Sequence, residues 1–363
     1  MNKSKRVLYF DVIRIIAIIG IIFCHSSVAY VVMDMGTPNF YISAFFDCFR
    51  DFSVPIFVML SGALLIGKKD SLITFFKKRL SRIFIPFIFW VFISIIYSFT
   101  NIKHSIDINN AIDIFLGHGG TMGVAFWFIW MIIIVYIGIF IINKILEFGN
   151  AKIDGFDEKF PSILALLSVI YIICFQFRFL SPIFYESLII YYFSFVCYAI
   201  IGYFLANTNY LESKIKANKL FAIFALLSSI LYLNYIINYV VPTSILKNHF
   251  TYLGYFNIQI MLISVCVFLM FKFLSYTEFF KKIENSKYED LIVTLSRYSY
   301  GIYLCHYIIL FQIKRSMVSI IPVHNQNSII MIPLLVLLTL IGSTLILYIL
   351  NRIPYLNKIT GIN

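Results

Sequence analysis

The chain has 363 residues, of which 61% are hydrophobic and 13% are charged, and its mean hydropathy is +0.90. A soluble domain is nearer half apolar and a quarter charged, so these values exclude a mostly water-exposed surface and a large soluble catalytic domain. The net charge of +12 would suggest nucleic acid as the partner of a soluble protein, whereas in a membrane protein an excess of Lys and Arg marks the cytoplasmic loops.

Apolar runs of about 17 residues or more predict ten transmembrane helices. In chain order they cover residues 7–31, 45–66, 83–100, 123–142, 161–178, 187–206, 220–241, 255–274, 300–321 and 328–350. The sequence shows no internal repeat. The predicted fold class is therefore an all-α polytopic membrane protein, with about ten transmembrane helices and a single integral-membrane domain over residues 1–363.

The Lys and Arg residues of the predicted loops lie almost entirely on one side of the membrane. When the loops are numbered alternately, only Lys103 and Lys247 fall on the other side. This asymmetry predicts an even number of spans, both termini in the cytoplasm and a multi-pass protein of the plasma (cytoplasmic) membrane. Asp11 and Arg14 lie inside the first apolar run and argue against a cleaved signal peptide, because a signal core is normally uncharged.

Cysteine and histidine positions give no sign of a metal site. The cysteines lie in or beside apolar runs without a CxxC pair, which predicts buried thiols and not disulfides. Several histidines fall in predicted outer loops without the spacing of metal ligands: His104, His118, His249 and His324.

The first span carries a stripe of ionisable residues. Arg14 lies about two turns inside the span, and Asp11 precedes it by three residues on the same helix face. His25 follows Arg14 by eleven residues, which brings it to within about 20° of the same direction and about 16 Å further along the axis. Such a stripe is by default a candidate functional site. The alternative is a structural Asp–Arg pair and a lone hydrogen-bonded histidine.

Four basic residues near the ends of other spans have simpler interpretations. Arg178 and Lys272 lie at span ends, from which a long side chain can reach the membrane surface. Lys314 and Arg315 lie in the outer third of the predicted ninth span, 300–321. If both are outside the membrane, this span ends before Lys314.

Two further polar groups each leave two interpretations open. Asp47, Arg50 and Asp51 lie at the outer end of the second span, either as a solvated helix end or as part of the mouth of a site. Tyr303 and His306 share a face of the ninth span, where they either line a cavity or bond to neighbouring helices.

Five segments, taken together and in order, resemble the integral-membrane acyltransferase-3 family. They are the Arg-X10-His pattern of Arg14 and His25 in FDVIRIIAIIGIIFCH, and the segments SVPIFVMLSGALL (53–65), FFKKRLSRIFIPFIFW (75–90), FWFIWM (126–131) and RYSYGIYLCHYII (297–309). The resemblance covers nearly the whole chain. In one departure, family members often have His-Leu before the tryptophan of the fourth span, whereas Ala125 and Phe126 precede Trp127 here.

The resemblance implies transfer of an acyl group, commonly acetyl, from a cytoplasmic coenzyme A thioester to a hydroxyl of a cell-envelope polysaccharide or lipid-linked sugar. Acetyl-CoA or another acyl-CoA is then the donor substrate, with no permanently bound cofactor and no metal. The expected partners are the acyl-CoA, the glycan or glycolipid acceptor and membrane lipids, without nucleic acid. The acyl group, the acceptor, the oligomeric state and any extracellular partner stay open.

On these terms each candidate residue has an expected role. His25 is the general base, because histidine titrates closest to neutral pH, with acylation of its ring as the variant. The other expected catalytic residues are Arg14 and Asp11. The donor phosphates are expected to contact Arg14, Arg79 and Arg82. The basic segment 68–82 alternatively meets anionic lipid head groups. The residues expected at the acceptor or cavity are Tyr303, His306, Trp127 and Arg50.

A transporter or flippase for an envelope polysaccharide or its lipid-linked precursor is the alternative function. It would also need about ten spans, charges within the membrane and aromatic surfaces for sugars. Related halves or paired broken helices would indicate a transporter, and the sequence shows neither.

Overall fold

The described residues of the computed structural model are largely helical and contain no β-strand. They are residues 6–33, 37–101, 108–118, 122–153, 155–176, 188–208, 215–237, 254–284, 286–322, 326–354, 356 and 359–362, without the side chains of 29–33 and 158. The predicted fold class, an all-α polytopic membrane protein, is confirmed. Positions that the sequence singled out and that lie outside the described residues are Lys103, His104, Arg178, Lys247, His249 and His324.

The helices are numbered here in chain order within the described residues. They are α1 (Leu8–Met33), α2 (Pro38–Asp47), α3 (Phe49–Leu65), α4 (Leu72–Asn101), α5 (Ile108–Leu116), α6 (Trp127–Asn150), α7 (Phe156–Gln176), α8 (Leu188–Ser194), α9 (Val196–Asn207), α10 (Ala217–Tyr235), α11 (Ile258–Leu274), α12 (Glu278–Ile283), α13 (Lys287–Ile320) and α14 (Ser328–Arg352).

Eight helical stretches among the described residues are long and apolar enough to cross a membrane. They are Leu8–Val28, Pro38–Leu65, Leu72–Asn101, Trp127–Asn150, Lys159–Gln176, Leu188–Asn207, Ala217–Tyr235 and Ser328–Arg352. Two other predicted spans lie in α11, an apolar helix of 17 residues, and in α13, a helix of 34 residues. The number of ten spans and the cytoplasmic termini stay predictions.

The predicted second span, 45–66, begins too late. Its residues belong to α2 and α3, which together run from Pro38 to Leu65 with Cys48 between them. The Thr37 side chain accepts the backbone N–H of Phe40, and Pro38 occupies the first turn. This cap and proline are ordinary helix-start signals, which a search for apolar runs alone does not detect.

The chain forms two compact units, each built from separate stretches of sequence. The first unit comprises Met1–Ala17, Arg50–Lys69 and Val135–Ser296, and the second comprises Ile18–Phe49, Asp70–Ile134 and Arg297–Asn363. Helices α1 and α13 each contribute residues to both units. The single domain over residues 1–363 stays a prediction.

Close backbone packing joins α3 and α9 in the first unit. A Cβ atom on Gly62 would lie 1.8 Å from the backbone oxygen of Ala199, and one on Gly202 would lie 2.1 Å from that of Met59. Small residues at such crossings let two membrane helices approach through their backbones. Glycine is therefore required at both positions for this contact.

Lys272, near the end of α11 in the first unit, is buried with 1% of its surface exposed. Its ammonium donates to the backbone oxygens of Leu205 and Thr208, at 3.0 and 2.5 Å. These carbonyls belong to the last turn and the C-cap of α9, where a cation is favourable. The prediction that Lys272 reaches the membrane surface is therefore wrong, because the charge is satisfied inside the protein.

Aromatic side chains hold the start of α6 in the second unit. Phe87 packs against the rings of Phe115, Phe126 and Trp130, with centroid distances of 5.6, 5.4 and 5.8 Å. Trp130 also donates from Nε1 to the backbone oxygen of Phe115 over 3.0 Å. Buried rings of this size contribute much of the packing free energy, and they fix the position of the first turn of α6.

Candidate functional site

Asp11 is the centre of a buried polar network in the first unit. Only 3% of Asp11 is exposed, and Arg6 donates to both of its oxygens, from Nε at 2.6 Å and from Nη2 at 2.8 Å. The Ser296 hydroxyl donates to Asp11 Oδ1 over 2.6 Å. Arg14 Nη1 donates to the same oxygen over 3.2 Å and to the Ser296 hydroxyl over 2.8 Å. The carboxylate thus fixes two guanidinium groups and a hydroxyl.

The network places the Asp11 carboxylate between the guanidinium groups of Arg6 and Arg14. The hydrogen bond with this carboxylate raises the pKa of the Arg6 guanidinium above the ordinary value. Asp11 precedes His25 by fourteen residues on α1, which corresponds to about 21 Å along the helix axis. The predicted catalytic role of Asp11 stays a prediction. The participation of Arg6 was not predicted, because its place before the first span had identified it only as a loop cation.

Arg14 keeps part of its guanidinium available for a ligand. Its side chain is 28% exposed, and both printed bonds, to Asp11 and Ser296, come from Nη1. Among the described residues none accepts a hydrogen bond from its Nη2 or Nε. A planar guanidinium that is held on one edge and free on the other suits a phosphate oxygen.

The His25 side chain lies among residues of α13 in the second unit. Its half-buried ring is 5.4 Å from the ring of His306 and 5.3 Å from the ring of Tyr307, measured between centroids. Lys314 Nζ donates to the backbone oxygen of His25 over 2.7 Å. Three residues of α13 thus meet α1 at His25, which joins two helices that are distant in sequence.

Lys314 is a neighbour of His25 that sequence reasoning missed. The prediction allowed the ninth span to end before Lys314, but α13 continues to Ile320. Side chains on a helix point towards its N-terminus, so Lys314 extends back towards the turn of Tyr307. The signal was present, because Tyr303, Tyr307 and Lys314 recur at a spacing of four and seven residues, which places them on one helix face.

Tyr303 and His306 lie close together and make different bonds. The Tyr303 hydroxyl donates to the backbone oxygen of Ala125, in the turn that precedes α6. His306 is completely buried, and its Nδ1 lies 2.7 Å from the backbone oxygen of Tyr303. The hydroxyl of Tyr303 therefore fastens α13 to this turn, whereas Nε2 of His306 has no hydrogen-bond partner in the part of the chain that the structure describes.

Trp127 begins α6 beside the same part of α13. The ring of Phe128, the next residue, lies 5.4 Å from the ring of Tyr303 and 6.3 Å from that of Trp127. The turn before Trp127 contributes the backbone oxygen of Ala125 to Tyr303. The second unit thus brings His25, Tyr303 and His306 to one region, with the start of α6 next to Tyr303.

Arg79 and Arg82 differ in how much of each guanidinium is free. Arg79 is 15% exposed, lies 3.2 Å from the Asp70 carboxylate and stacks 4.8 Å above the Phe75 ring. Lys78 also reaches Asp70, over 3.4 Å. Arg82 is exposed and no described residue accepts a bond from it. Of these two arginines, which with Arg14 are the predicted donor-binding residues, Arg82 is the one without a described hydrogen-bond acceptor.

Arg50 belongs to a polar cluster in the first unit. Asp51 is buried and accepts hydrogen bonds from the Tyr235 hydroxyl over 3.0 Å and from Arg50 Nε over 3.3 Å. The interpretation of this helix end as solvated is therefore wrong for Asp51. Because Arg50 lies in the first unit, the predicted place of Arg50 beside the acceptor stays a prediction.

No curated protein and no solved structure matches the chain. The acyltransferase-3 family model, described as an acyltransferase domain, matches residues 7–348, which include every predicted site residue. Because the match covers nearly the whole chain, this multi-pass membrane protein belongs to the acyltransferase-3 family and is an acyltransferase.

Proposed function

We propose that this acyltransferase moves an acyl group, most simply acetyl, from acyl-CoA to a hydroxyl of a cell-envelope polysaccharide or lipid-linked sugar. The observation that carries the proposal is the half-buried imidazole of His25, which lies next to the rings of His306 and Tyr307 and whose backbone oxygen accepts a hydrogen bond from Lys314. An imidazole that is partly open and held by its neighbours suits a positioned base. Family membership favours an enzyme over the alternative of a transporter.

In the proposed reaction His25 is the general base. A sugar hydroxyl is a weak nucleophile near neutral pH, so a ring nitrogen of His25 takes its proton as the oxygen attacks the thioester carbonyl. The new C–O ester bond forms and the C–S bond breaks. The imidazolium then returns the proton to the departing thiolate, which leaves as coenzyme A.

The proposed donor contacts are the guanidinium groups that carry free N–H donors. The phosphates of coenzyme A are multiply charged, and Arg binds them through two parallel hydrogen bonds. Arg14 offers its free edge, and Arg82 offers an exposed guanidinium on the predicted cytoplasmic segment 68–82. Arg79, which Asp70 and Phe75 already hold, supports the same segment.

The proposal takes the spacing between donor recognition and chemistry from the number of residues between Arg14 and His25. Arg14 and His25 are eleven residues apart on α1, or about 16 Å along its axis. The predicted orientation puts Arg14 nearer the cytoplasm and His25 nearer the outside. In the proposal a long pantetheine arm covers this distance, so the acyl group reaches an outer acceptor while the nucleotide stays on the cytoplasmic side.

The test uses purified protein in lipid nanodiscs, acetyl-CoA labelled in the acetyl group and a panel of envelope glycans and glycolipids. The proposal expects alkali-labile label in one acceptor class with wild type, and none above background with His25→Ala. The matched control is His118→Ala, an exposed histidine paired with Asp113 over 2.7 Å, which should behave as wild type. Equal acylation by His25→Ala and wild type would contradict the role of His25. Movement of a glycolipid across vesicles without acylation would instead indicate a transporter.

A further inference from the structure

Nε2 of His306 is a buried hydrogen-bond acceptor with no described partner. His306 is completely buried, and its Nδ1 lies 2.7 Å from the carbonyl oxygen of Tyr303. A carbonyl only accepts, so in the neutral ring the proton must reside on Nδ1 and Nε2 must carry a lone pair. No group in the described part of the chain donates to Nε2. Buried polar atoms without partners are rare and call for an explanation.

The nearest imidazole has the right distance to supply the missing donor. The rings of His25 and His306 have centroids 5.4 Å apart, with an angle of 36° between their planes. Two imidazoles that are joined end to end by an N–H···N bond of about 3 Å have centroids roughly 5.3 Å apart. Rotation about the Cβ–Cγ bond of a half-buried histidine is a soft motion. The bond between the two rings requires such a rotation, which aims an N–H of His25 at Nε2 of His306.

We infer that His306 is a positioning residue for His25, whose ring N–H donates a hydrogen bond to Nε2 of His306. The inference rests on the proposed role of His25 as base. It adds the group that selects the tautomer of His25 and leaves its other nitrogen unprotonated towards the acceptor hydroxyl. The chain of bonds runs from His25 to His306 and on to the carbonyl oxygen of Tyr303.

This arrangement assigns every proton in the reaction. Before transfer, one nitrogen of His25 is bound through its hydrogen to His306, and the other accepts the proton of the acceptor hydroxyl. During transfer the His25 imidazolium keeps both protons, and Nε2 of His306 stabilises the N–H that faces it. The second proton then goes to the coenzyme A thiolate. His306 exchanges no proton and never touches the substrate, so its contribution is orientation and stabilisation of His25.

A direct test is nuclear magnetic resonance of the full-length protein labelled with ring-15N histidine, which gives signals from only six residues. The expected result is a nitrogen–nitrogen coupling across the hydrogen bond between His25 and an unprotonated Nε2 of His306. His25→Asn and His306→Gln assign the signals. A protonated Nε2, or the absence of coupling to His25, would overturn the inference. Because this measurement needs no acyl transfer, it stands even if the proposed function fails.

The kinetic test compares two replacements of His306, using labelled acetyl-CoA and the acceptor class that the glycan panel identifies. His306→Leu removes the acceptor atom, and kcat should fall by about ten- to a hundredfold, as for loss of other orienting groups, with an unchanged KM for acetyl-CoA. His306→Gln keeps an acceptor oxygen near Nε2 and should recover most of that loss. The control Cys305→Ala alters the adjacent buried side chain and should retain kcat. An unchanged kcat in His306→Leu, or no recovery in His306→Gln, would overturn the inference. If His306→Leu does not fold, the nitrogen–nitrogen coupling in the NMR spectrum of the wild-type protein tests the inference.

Discussion

Lys314 donates a hydrogen bond from Nζ to the backbone oxygen of His25 over 2.7 Å, although 289 residues separate them. The bond is charge-assisted and therefore stronger than a neutral one. It fixes α13 to α1 next to the imidazole of His25. A half-buried ammonium is costly unless it has such a partner, so we expect the contact to persist and to set the position of the His25 backbone.

Replacement of Lys314 by Met should lower the acyl-transfer rate. The loss of the bond lets the His25 backbone shift, and small displacements at a reacting group cost about tenfold or more. The measurement is kcat with labelled acetyl-CoA. The control is Arg315→Met, because Arg315 is exposed and donates to the backbone oxygen of Asn101 over 3.1 Å, away from His25. Equal losses in both variants, or no loss in either, would contradict the role of Lys314.

Replacement of Arg14 by Gln should weaken donor binding. A charge-assisted hydrogen bond contributes about 1.5–3 kcal/mol, so KM for acetyl-CoA should rise by about ten- to a hundredfold. Asp11 still has Arg6 and Ser296 as partners, so the variant should fold. The matched control is S-acetyl-pantetheine, a donor without phosphates. The two proteins should use it equally, and a similar defect with both donors would show that Arg14 does not recognise phosphate.

Arg82 should contribute more to donor binding than its neighbours on the same helix. Arg82→Gln should raise KM for acetyl-CoA, because its guanidinium is exposed and has no described partner. Lys77→Gln, another exposed cation of α4, should change KM little. Arg79→Gln should chiefly lower stability, since it releases Asp70 and the contact with Phe75. Equal rises in KM for Arg82→Gln and Lys77→Gln would indicate a diffuse basic surface, as expected for binding to anionic lipid.

The apolar pattern of the chain predicted most of the fold but few of its contacts. The pair of Asp11 and Arg14 was predictable because both residues lie on one turn of one helix. The contacts of His25 with His306 and Lys314 were not, because helix periodicity indicates which residues share a face but not which face of another helix they meet. Lys272 was misjudged for the same reason, since the carbonyls of α9 that bind it are remote in sequence.

Replacement of Asp11 by Asn should destabilise the protein. The change removes the only carboxylate that Arg6 and Arg14 share in the described network. The loss of one partner of a buried ion pair lowers the free energy of unfolding by about 3 kcal/mol at the lower end of the usual range. We expect this lower value because the Arg6 side chain is partly exposed. The free energy of unfolding in mixed micelles measures the effect. Glu147→Gln, which breaks the exposed pair with Lys144, is the control and should leave stability unchanged. If Asp11→Asn is as stable as this control, the network does not hold Arg14.

The most direct test of the role of His25 is the single-turnover rate of acetyl transfer from acetyl-CoA to the identified acceptor, measured for wild type and His25→Ala. General-base catalysis contributes about a hundredfold to ten-thousandfold, so the variant should be slower by at least about a hundredfold. Added imidazole should restore part of the rate, because it occupies the space of the missing ring. A variant that transfers acetyl at the wild-type rate would contradict the account.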